Sequence, residues 1–348
     1  MPYDTDESEI AKNPNIFNNS YIPRGIFARD PHLKNLHSCF SLVLKGNKPL
    51  HAWLYGKPGT GKSLVAKYFL QELMEKHQIN GAYINCWRTN SFYSVLDTVL
   101  NELRFGFGDE RDTRVKLYQF ERRVREKPFA VVLDEVDLMP LKDRNAMIYN
   151  FCNIGKIGLI CISESRYAIL SLEDRIKSRL NPRVIHFKPY TKEDLVRILR
   201  ERALMKLDCK RWNENILKKI AEIAKGDARV AIHTLKRACQ HSEDEGSKAI
   251  ELKHIKKGYY GVDDLKKEYR LKRLTEHHRI LFQLIKMNSG IISNQLWNCY
   301  LQECRNQNLN PIAKRTFSHY TSNLNELKLI KVERARVRGR VYSFKVSD

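Results

Sequence analysis

No run of 18 apolar residues occurs in the 348-residue chain, so no segment is built to cross a membrane as a helix. The opening MPYDTDESEI is acidic and lacks the apolar stretch of a secretory leader, which sets the expectation of a cytoplasmic protein. The eight cysteines, at 39, 86, 152, 161, 209, 239, 299 and 304, include no C-x-x-C pair. A zinc ribbon is not indicated, and free thiols in a reducing compartment are the simplest reading. Internal repeats and low-complexity tracts are missing as well. Acid is scarce: 40 Asp+Glu face 62 Lys+Arg, a net charge of +22 and a pI near 9.6. Such an excess favours a polyanionic partner, nucleic acid before an anionic membrane surface. What is present is a folded composition, 42% hydrophobic and 29% charged with a mean hydropathy of −0.51. At about 100–200 residues per domain the length suggests two or three domains.

Half of the net charge sits at one end. Residues 266–348 hold 17 Lys+Arg and 6 Asp+Glu, a net of +11. A polar stretch over 1–20 is expected to fray. From 21 to 187, short runs rich in Val, Ile and aromatics (HAWLYG 51–56, AYINCW 82–87, FAVVLDEVD 129–137, GLICIS 158–163) alternate with helical patterns such as SLVAKYFLQELMEKH at 63–77. That alternation predicts a parallel α/β sheet with both faces covered. A second segment, 188–270, reads as all helical (191–206, 213–225, 228–242, 251–269), with Gly226 and Asp227 supplying a break and a cap. The third, 271–348, shows helical periods at 276–288, 293–307 and 312–328, then a basic hairpin at 330–346.

The strongest chemical signal is Gly56-Lys57-Pro58-Gly59-Thr60-Gly61-Lys62-Ser63, which fits G-x-x-x-x-G-K-[ST] between a strand and a helix that continues through Leu64. Glycines let the backbone curl so that successive N–H groups point at phosphate oxygens, and the helix adds the positive end of its dipole. Lys62 can reach the β- and γ-phosphates, and Ser63 can offer its hydroxyl to Mg²⁺. Further on, the strand Ala130–Leu133 runs into Asp134 and Glu135. Asp134 is placed for the Mg²⁺ shell and Glu135 for polarising the attacking water. A Glu directly after the metal Asp favours ATP over GTP, and no N-K-x-D guanine signature is present. The expected cofactors are ATP or ADP with Mg²⁺.

With these motifs the chain resembles an AAA+ ATPase. YINCWRTNSFYSVL (83–96), FKPYTKEDLVRILRERA (187–203), KGDARVAIHTLKRA (225–238) and LTEHHRILFQLI (274–285) narrow the likeness. Together they are similar to the archaeal origin-recognition initiators, relatives of the eukaryotic origin recognition complex and its helicase-loading partner. The resemblance spans roughly residues 14–346. It implies an α/β P-loop domain with an α-helical lid, followed by a C-terminal winged helix. It further implies that Tyr21, Ile22 and Pro23 lie against the adenine, that Tyr190 and Arg202 contact the nucleotide from the lid, and that Arg229 is the second sensor aimed at the γ-phosphate. Within Asp174–Arg179 it implies an arginine finger for a neighbouring subunit's site, Arg175 in preference to Arg179. One position departs from the family pattern: where an Asn is usual after a strand ending Ile-Ser, this chain has Glu164 and Ser165. An ionised carboxylate there would repel a γ-phosphate. Either Ser163 or Ser165 serves as the sensor, or turnover is impaired.

In the winged helix, Pro311–Tyr320 begins the expected recognition helix. Phe317, Leu324 and Leu327 recur at helical spacing for the core, leaving Lys314, Arg315, Ser318 and His319 to face outward toward bases or phosphates. Along the wing, Arg336, Arg338 and Arg340 alternate, so one strand face would carry a comb for a phosphate backbone or a narrow minor groove. A protein-binding winged helix is the alternative. Around Leu103–Arg114, LRFGFGDERDTR resembles the extra helical element of initiator-type ATPases. The implied function is an ATP-binding replication initiator that binds duplex origin DNA, helps recruit the replicative helicase and hydrolyses ATP slowly. It would be chromosome-associated and would act on DNA as a homo- or hetero-oligomer. Two other readings stand beside it: a nucleotide-bound DNA-binding regulator with little turnover, and a transposition or plasmid-maintenance ATPase.

Overall fold

A computed structural model describes residues 16–18, 21–23, 25–44, 47, 49–89, 91–103, 112–125, 127–207, 211–259, 274–307, 309–326, 329–334 and 342–346. The chain divides into two compact units, 1–259 and 260–348.

The first unit begins with α1 (Asp30–Leu44), β1 (Ala52–Tyr55), α2 (Lys62–His77), β2 (Asn80–Asn85), α3 (Phe92–Glu102) and α4 (Thr113–Val124). It continues through β3 (Phe129–Asp134), α5 (Leu141–Asn153), β4 (Ile157–Ser163), α6 (Asp174–Leu180) and β5 (Arg183–His186). The strands form one parallel sheet in the order β2-β3-β4-β1-β5. β3 and β4 are buried along their whole length, and successive residues of β3 feed opposite cores. Val131 and Leu133 join α3–α5 on one face, through Phe92, Leu96, Phe120 and Phe151. Ala130 and Val132 join α1 and α2 on the other, through Leu36, Phe40, Phe69 and Leu73. This is the two-residue period of a strand applied to a sheet covered on both sides. β1 lies between β4 and β5, so the order reverses beside it, and it is at the carboxyl ends beside such a reversal that open α/β sheets hold their ligands.

Three helices follow: α7 (Lys192–Lys206), α8 (Glu214–Ala224) and α9 (Ala228–Asp244), with a further helical run over 252–259. Their starts are capped by side chains. Thr191 and Asp194 form a reciprocal capping box, Asn213 accepts from the Ile216 amide, and Asp227 accepts from the Arg229 and Val230 amides. Gly226, with φ of 86°, makes the left-handed break before Asp227.

The second unit contains α10 (Glu276–Met287), β6 (Ile291–Ile292), α11 (Ser293–Asn306), α12 (Lys314–Glu326), β7 (Ile330–Arg334) and β8 (Tyr342–Val346). The strands form an antiparallel sheet, β6-β8-β7. Leu281, Ile285, Leu296, Tyr300, Phe317, Leu324 and Phe344 make its core. Three helices against a small sheet whose last two strands pair as a hairpin constitute a winged helix.

Several details differ from the sequence pattern. β2 spans Asn80–Asn85 rather than 82–87, and β3 stops at Asp134 because Glu135 turns the chain. β5 carried no strand signal of its own. The helix expected over 251–269 is seen over 252–259, and the rest lies outside the described residues. None of the seven described cysteines forms a disulfide. Among the described residues no helix is long and apolar enough to cross a membrane.

Candidate functional site

The glycine loop joins β1 to α2 at the carboxyl edge of the sheet. Gly59 and Gly61 take φ of 77° and 86°, where a side chain is strained. There is also no room for one: a Cβ on Gly59 would collide with Asp227 Oδ1, and one on Gly61 with the Tyr190 hydroxyl. Both obstructions come from the helical segment, which acts as a lid pressed onto the loop. The Ala228 amide, at the start of α9, completes the contact by donating to the Gly59 carbonyl at 3.1 Å.

Lys62 Nζ donates to the Gly56 and Lys57 carbonyls at 2.6 and 3.0 Å, so its ammonium is folded over the entrance of its own loop. Burial, then the Arg229 charge, brings its pKa down to about 8, against the opposing pull of Asp134, Glu164 and Asp137. Lysine, lid arginine and three carboxylates therefore share one electrostatic neighbourhood.

Asp134 is buried at the end of β3. Its Oδ1 accepts from the Glu135 amide at 3.0 Å, and its Oδ2 accepts from the Tyr83 hydroxyl. Burial, and then the Asp134 charge, pushes the Tyr83 phenol upward, so it stays protonated and meets the carboxylate as a donor. Ser63 lies within reach of the same phenol. Glu135 has φ of 56°, an uncommon setting for a residue with a side chain. That kink ends the strand at Asp134. Glycine cradle, lysine and a hard-oxygen pair from Ser63 and Asp134 fit a nucleotide phosphate with a small divalent cation.

Arg29 ties the region together and carried no signal of its own in the sequence. Its buried guanidinium donates to the Thr60 carbonyl at 3.1 Å and the Lys188 carbonyl at 2.7 Å, and lies 3.9 Å from the centre of the Tyr190 ring. Loop, lid entrance and Tyr190 are thereby joined through one side chain. Tyr190 itself is buried and fixed through its amide to Gly226. Arg202 is spent locally: it donates to the Ile16 carbonyl and lies 4.3 Å from the centre of the Tyr21 ring. The Tyr21 hydroxyl meets Met205 Sδ at 3.6 Å. The segment holding Tyr21, Ile22 and Pro23 is thus anchored to α7 by the same arginine that the family pattern sets at the nucleotide. Arg229 stands in the first turn of α9, its Nε 3.9 Å from Asp227 Oδ1.

At the family's sensor position, Ser163 is committed elsewhere. It accepts from the Trp53 indole at 2.9 Å and donates to the Ser165 carbonyl at 2.8 Å. Ser165 Oγ accepts from the Tyr167 amide. Glu164 is exposed, its amide donates to Asp137 Oδ2, and its charge acts on Lys62. Arg175 and Arg179 both project from α6 into solvent over the Tyr149 ring, Arg175 held by Glu173 at 2.7 Å and Arg179 by Asn153.

In the winged helix, Lys314, Arg315, Ser318 and His319 are exposed while Phe317 and Leu324 are buried, so α12 divides its faces as its spacing predicts. Leu327, Arg336, Arg338 and Arg340 lie outside the described residues, as does most of the Leu103–Arg114 element.

Comparison with known proteins converges with this geometry. Residues 47–165 match an AAA domain, and residues 196–260 match the Cdc6 AAA+ ATPase-type lid domain. The ORC1-type DNA replication protein 1 of Halobacterium salinarum is 30% identical over 290 residues, covering 80% of this chain and 92% of that protein. The ORC1-type DNA replication protein of Pyrococcus horikoshii is 27% identical over 356 residues, 94% of this chain and 84% of that one. Among solved structures, the Aeropyrum pernix ORC1 protein in complex with DNA has the same fold, with a TM-score of 0.76 at 22% identity over 97% of this chain and 93% of that one. The Aeropyrum pernix ORC2 protein in its ADPNP-ADP complexes gives 0.69 at 19% identity, covering 97% and 94%. An AAA+ domain with a Cdc6-type lid and a winged helix make this chain a member of the ORC1-type DNA replication protein family.

Proposed function

We propose that this chain is a nucleotide-controlled replication initiator. It binds ATP or ADP between sheet and lid, binds duplex origin DNA through its winged helix, helps recruit the replicative helicase and turns ATP over slowly. The observation that carries the reading is the lid's grip on the phosphate loop: Asp227 and Tyr190 sit against Gly59 and Gly61, so a ligand in the loop is felt directly by the lid. Lys62 leaves the Gly56 and Lys57 carbonyls for the β- and γ-phosphates. Arg229 approaches the γ-phosphate from the lid, while Tyr190, Arg202 and the Tyr21–Pro23 segment frame the base side. Ser63 and Asp134 hold the Mg²⁺ shell, which supplies charge neutralisation at the phosphates. Glu135 orients the attacking water and accepts its proton, and Arg175 completes the site of a neighbouring copy or partner. In α12, Lys314, Arg315 and Ser318 meet the DNA, with Arg336, Arg338 and Arg340 of the wing on its backbone. A DNA-bound homologue of this fold supports that assignment, and the chromosome is then the protein's location.

A second reading, a DNA-binding regulator that holds nucleotide with little turnover, draws on one observation: Glu164 stands where an Asn is usual and places a carboxylate charge beside Lys62. Replacing it by Asn is expected to raise the hydrolysis rate several-fold with ADP affinity nearly unchanged; no change, or a loss, sets the sensor elsewhere. The experiment that separates the readings is a pull-down of the replicative helicase onto an origin duplex, with and without this protein and ATP. Recruitment that needs both supports the initiator; helicase binding indifferent to them supports the regulator.

A further inference from the structure

Tyr83 lies in β2, paired with Val132 of β3, and its side chain runs along the sheet to the carboxyl end of β3. There its hydroxyl donates to Asp134 Oδ2. Ser63, at the start of α2, lies within reach of the same hydroxyl. The ring is braced on its face by the Lys67 ammonium, 4.3 Å from its centre. The two groups suited to a divalent cation thus meet at one hydroxyl, which is bonded to Asp134 and belongs to a residue outside both motifs. The remaining oxygen of Asp134 is held by the Glu135 amide at 3.0 Å.

We propose that Tyr83 is a positioning residue for the cation that accompanies the nucleotide: its hydroxyl fixes the Ser63 hydroxyl and the Asp134 carboxylate in mutual orientation before the cation enters. The proposal rests on the nucleotide reading above. A serine hydroxyl and a carboxylate are both free rotors, and each loses freedom when a cation is bound. A partner that orients them in advance removes part of that cost. Groups that hydrogen-bond to metal ligands commonly contribute 10–100-fold to metal affinity. A phenol suits the task because it is neutral. It orients the carboxylate without cancelling the negative charge that attracts the cation, as a lysine or arginine in its place would. With its proton directed at Tyr83, the Ser63 oxygen keeps its lone pairs for the cation.

The test is Tyr83→Phe in the full chain, a change that removes one hydroxyl and keeps the ring in its core position. ADP affinity is measured by calorimetry in EDTA, Mg²⁺ is then titrated, and Mn²⁺ binding is read directly by electron paramagnetic resonance. The expected result is ADP affinity in EDTA within about twofold of wild type, with the Mg²⁺ midpoint raised roughly tenfold and Mn²⁺ binding weakened in parallel. A midpoint that is unchanged overturns the proposal. So does one that falls, which would mean that the phenol competes with the cation for Asp134. A wild-type chain that binds no ADP in either buffer overturns the nucleotide reading first, and this proposal with it.

Discussion

The two units carry their charge in opposite ways. In the first, ionisable groups are drawn inward: Asp134, Arg29 and Arg202 are buried, Lys62 is half-buried, and Glu135 is held on a strained backbone. In the second, the basic residues of α12 stand in solvent over an aromatic and aliphatic core, and the buried titratable group His278 is held neutral. On the proposed function, the contrast follows from ligand size. A nucleotide can be surrounded, so desolvated donors and a fixed carboxylate act at short range in a low effective dielectric. A duplex cannot be enclosed by 89 residues, so its phosphates are met from outside by exposed charge, with strong dependence on salt.

The largest effect that would break this contrast comes from the enclosed side. Lys62→Ala removes the loop lysine proposed to reach the β- and γ-phosphates, and nucleotide affinity should fall by about 100-fold or more in calorimetry; unchanged affinity rejects the phosphate-loop assignment. Next, Glu135→Gln should leave ATP binding intact while slowing hydrolysis by roughly 100-fold, the scale of a lost general base. Equal losses in binding and turnover would make Glu135 structural. On the exposed side, Lys314→Ala with Arg315→Ala should leave ADP affinity alone and narrow the gap between origin and scrambled duplexes by about 1–3 kcal/mol. A uniform loss on both duplexes would reassign those residues to phosphate contacts.

A last effect concerns folding rather than ligands, and it is on stability in acid. His278 stacks on Tyr320 with ring centres 3.7 Å apart, and its Nδ1 is hydrogen-bonded to Thr275. Burial, then the charges of His319 and His277, pushes its pKa down to about 4. The folded unit favours neutral His278, so this contribution is complete above the ordinary value near 6.5. It is lost as pH falls from there to about 4, on the order of 3 kcal/mol in all. In urea melts, His278→Phe should flatten that part of the pH profile; an unaltered slope would show that another group is responsible.

Much of the candidate site's arrangement was legible because its chemistry is local. A curled phosphate loop needs glycines at fixed spacing ahead of Lys62, and Asp134 and Glu135 follow an unbroken apolar strand. What stayed hidden is long-range. Arg29 finds its acceptors 31 and 159 residues away, and Tyr83 finds Asp134 51 residues away, separations at which no periodicity operates. β5 was obscured because Arg183–His186 is a four-residue edge strand with one buried position, too short for alternation to register. Arg202 is the instructive intermediate. Its burial in α7 could be read from spacing, but its attachment to Ile16 and Tyr21 depends on where the segment before α1 folds back. The winged helix was easier, since the amphipathic split of α12 is a property of the helix alone.

The most direct test of the account is to map where the protein binds across its own genome and compare those sites with independently mapped replication origins. The account predicts that the strongest sites coincide with origins and that Lys314→Ala with Arg315→Ala depletes them. Binding concentrated at promoters or mobile elements, with origins unoccupied, would contradict it.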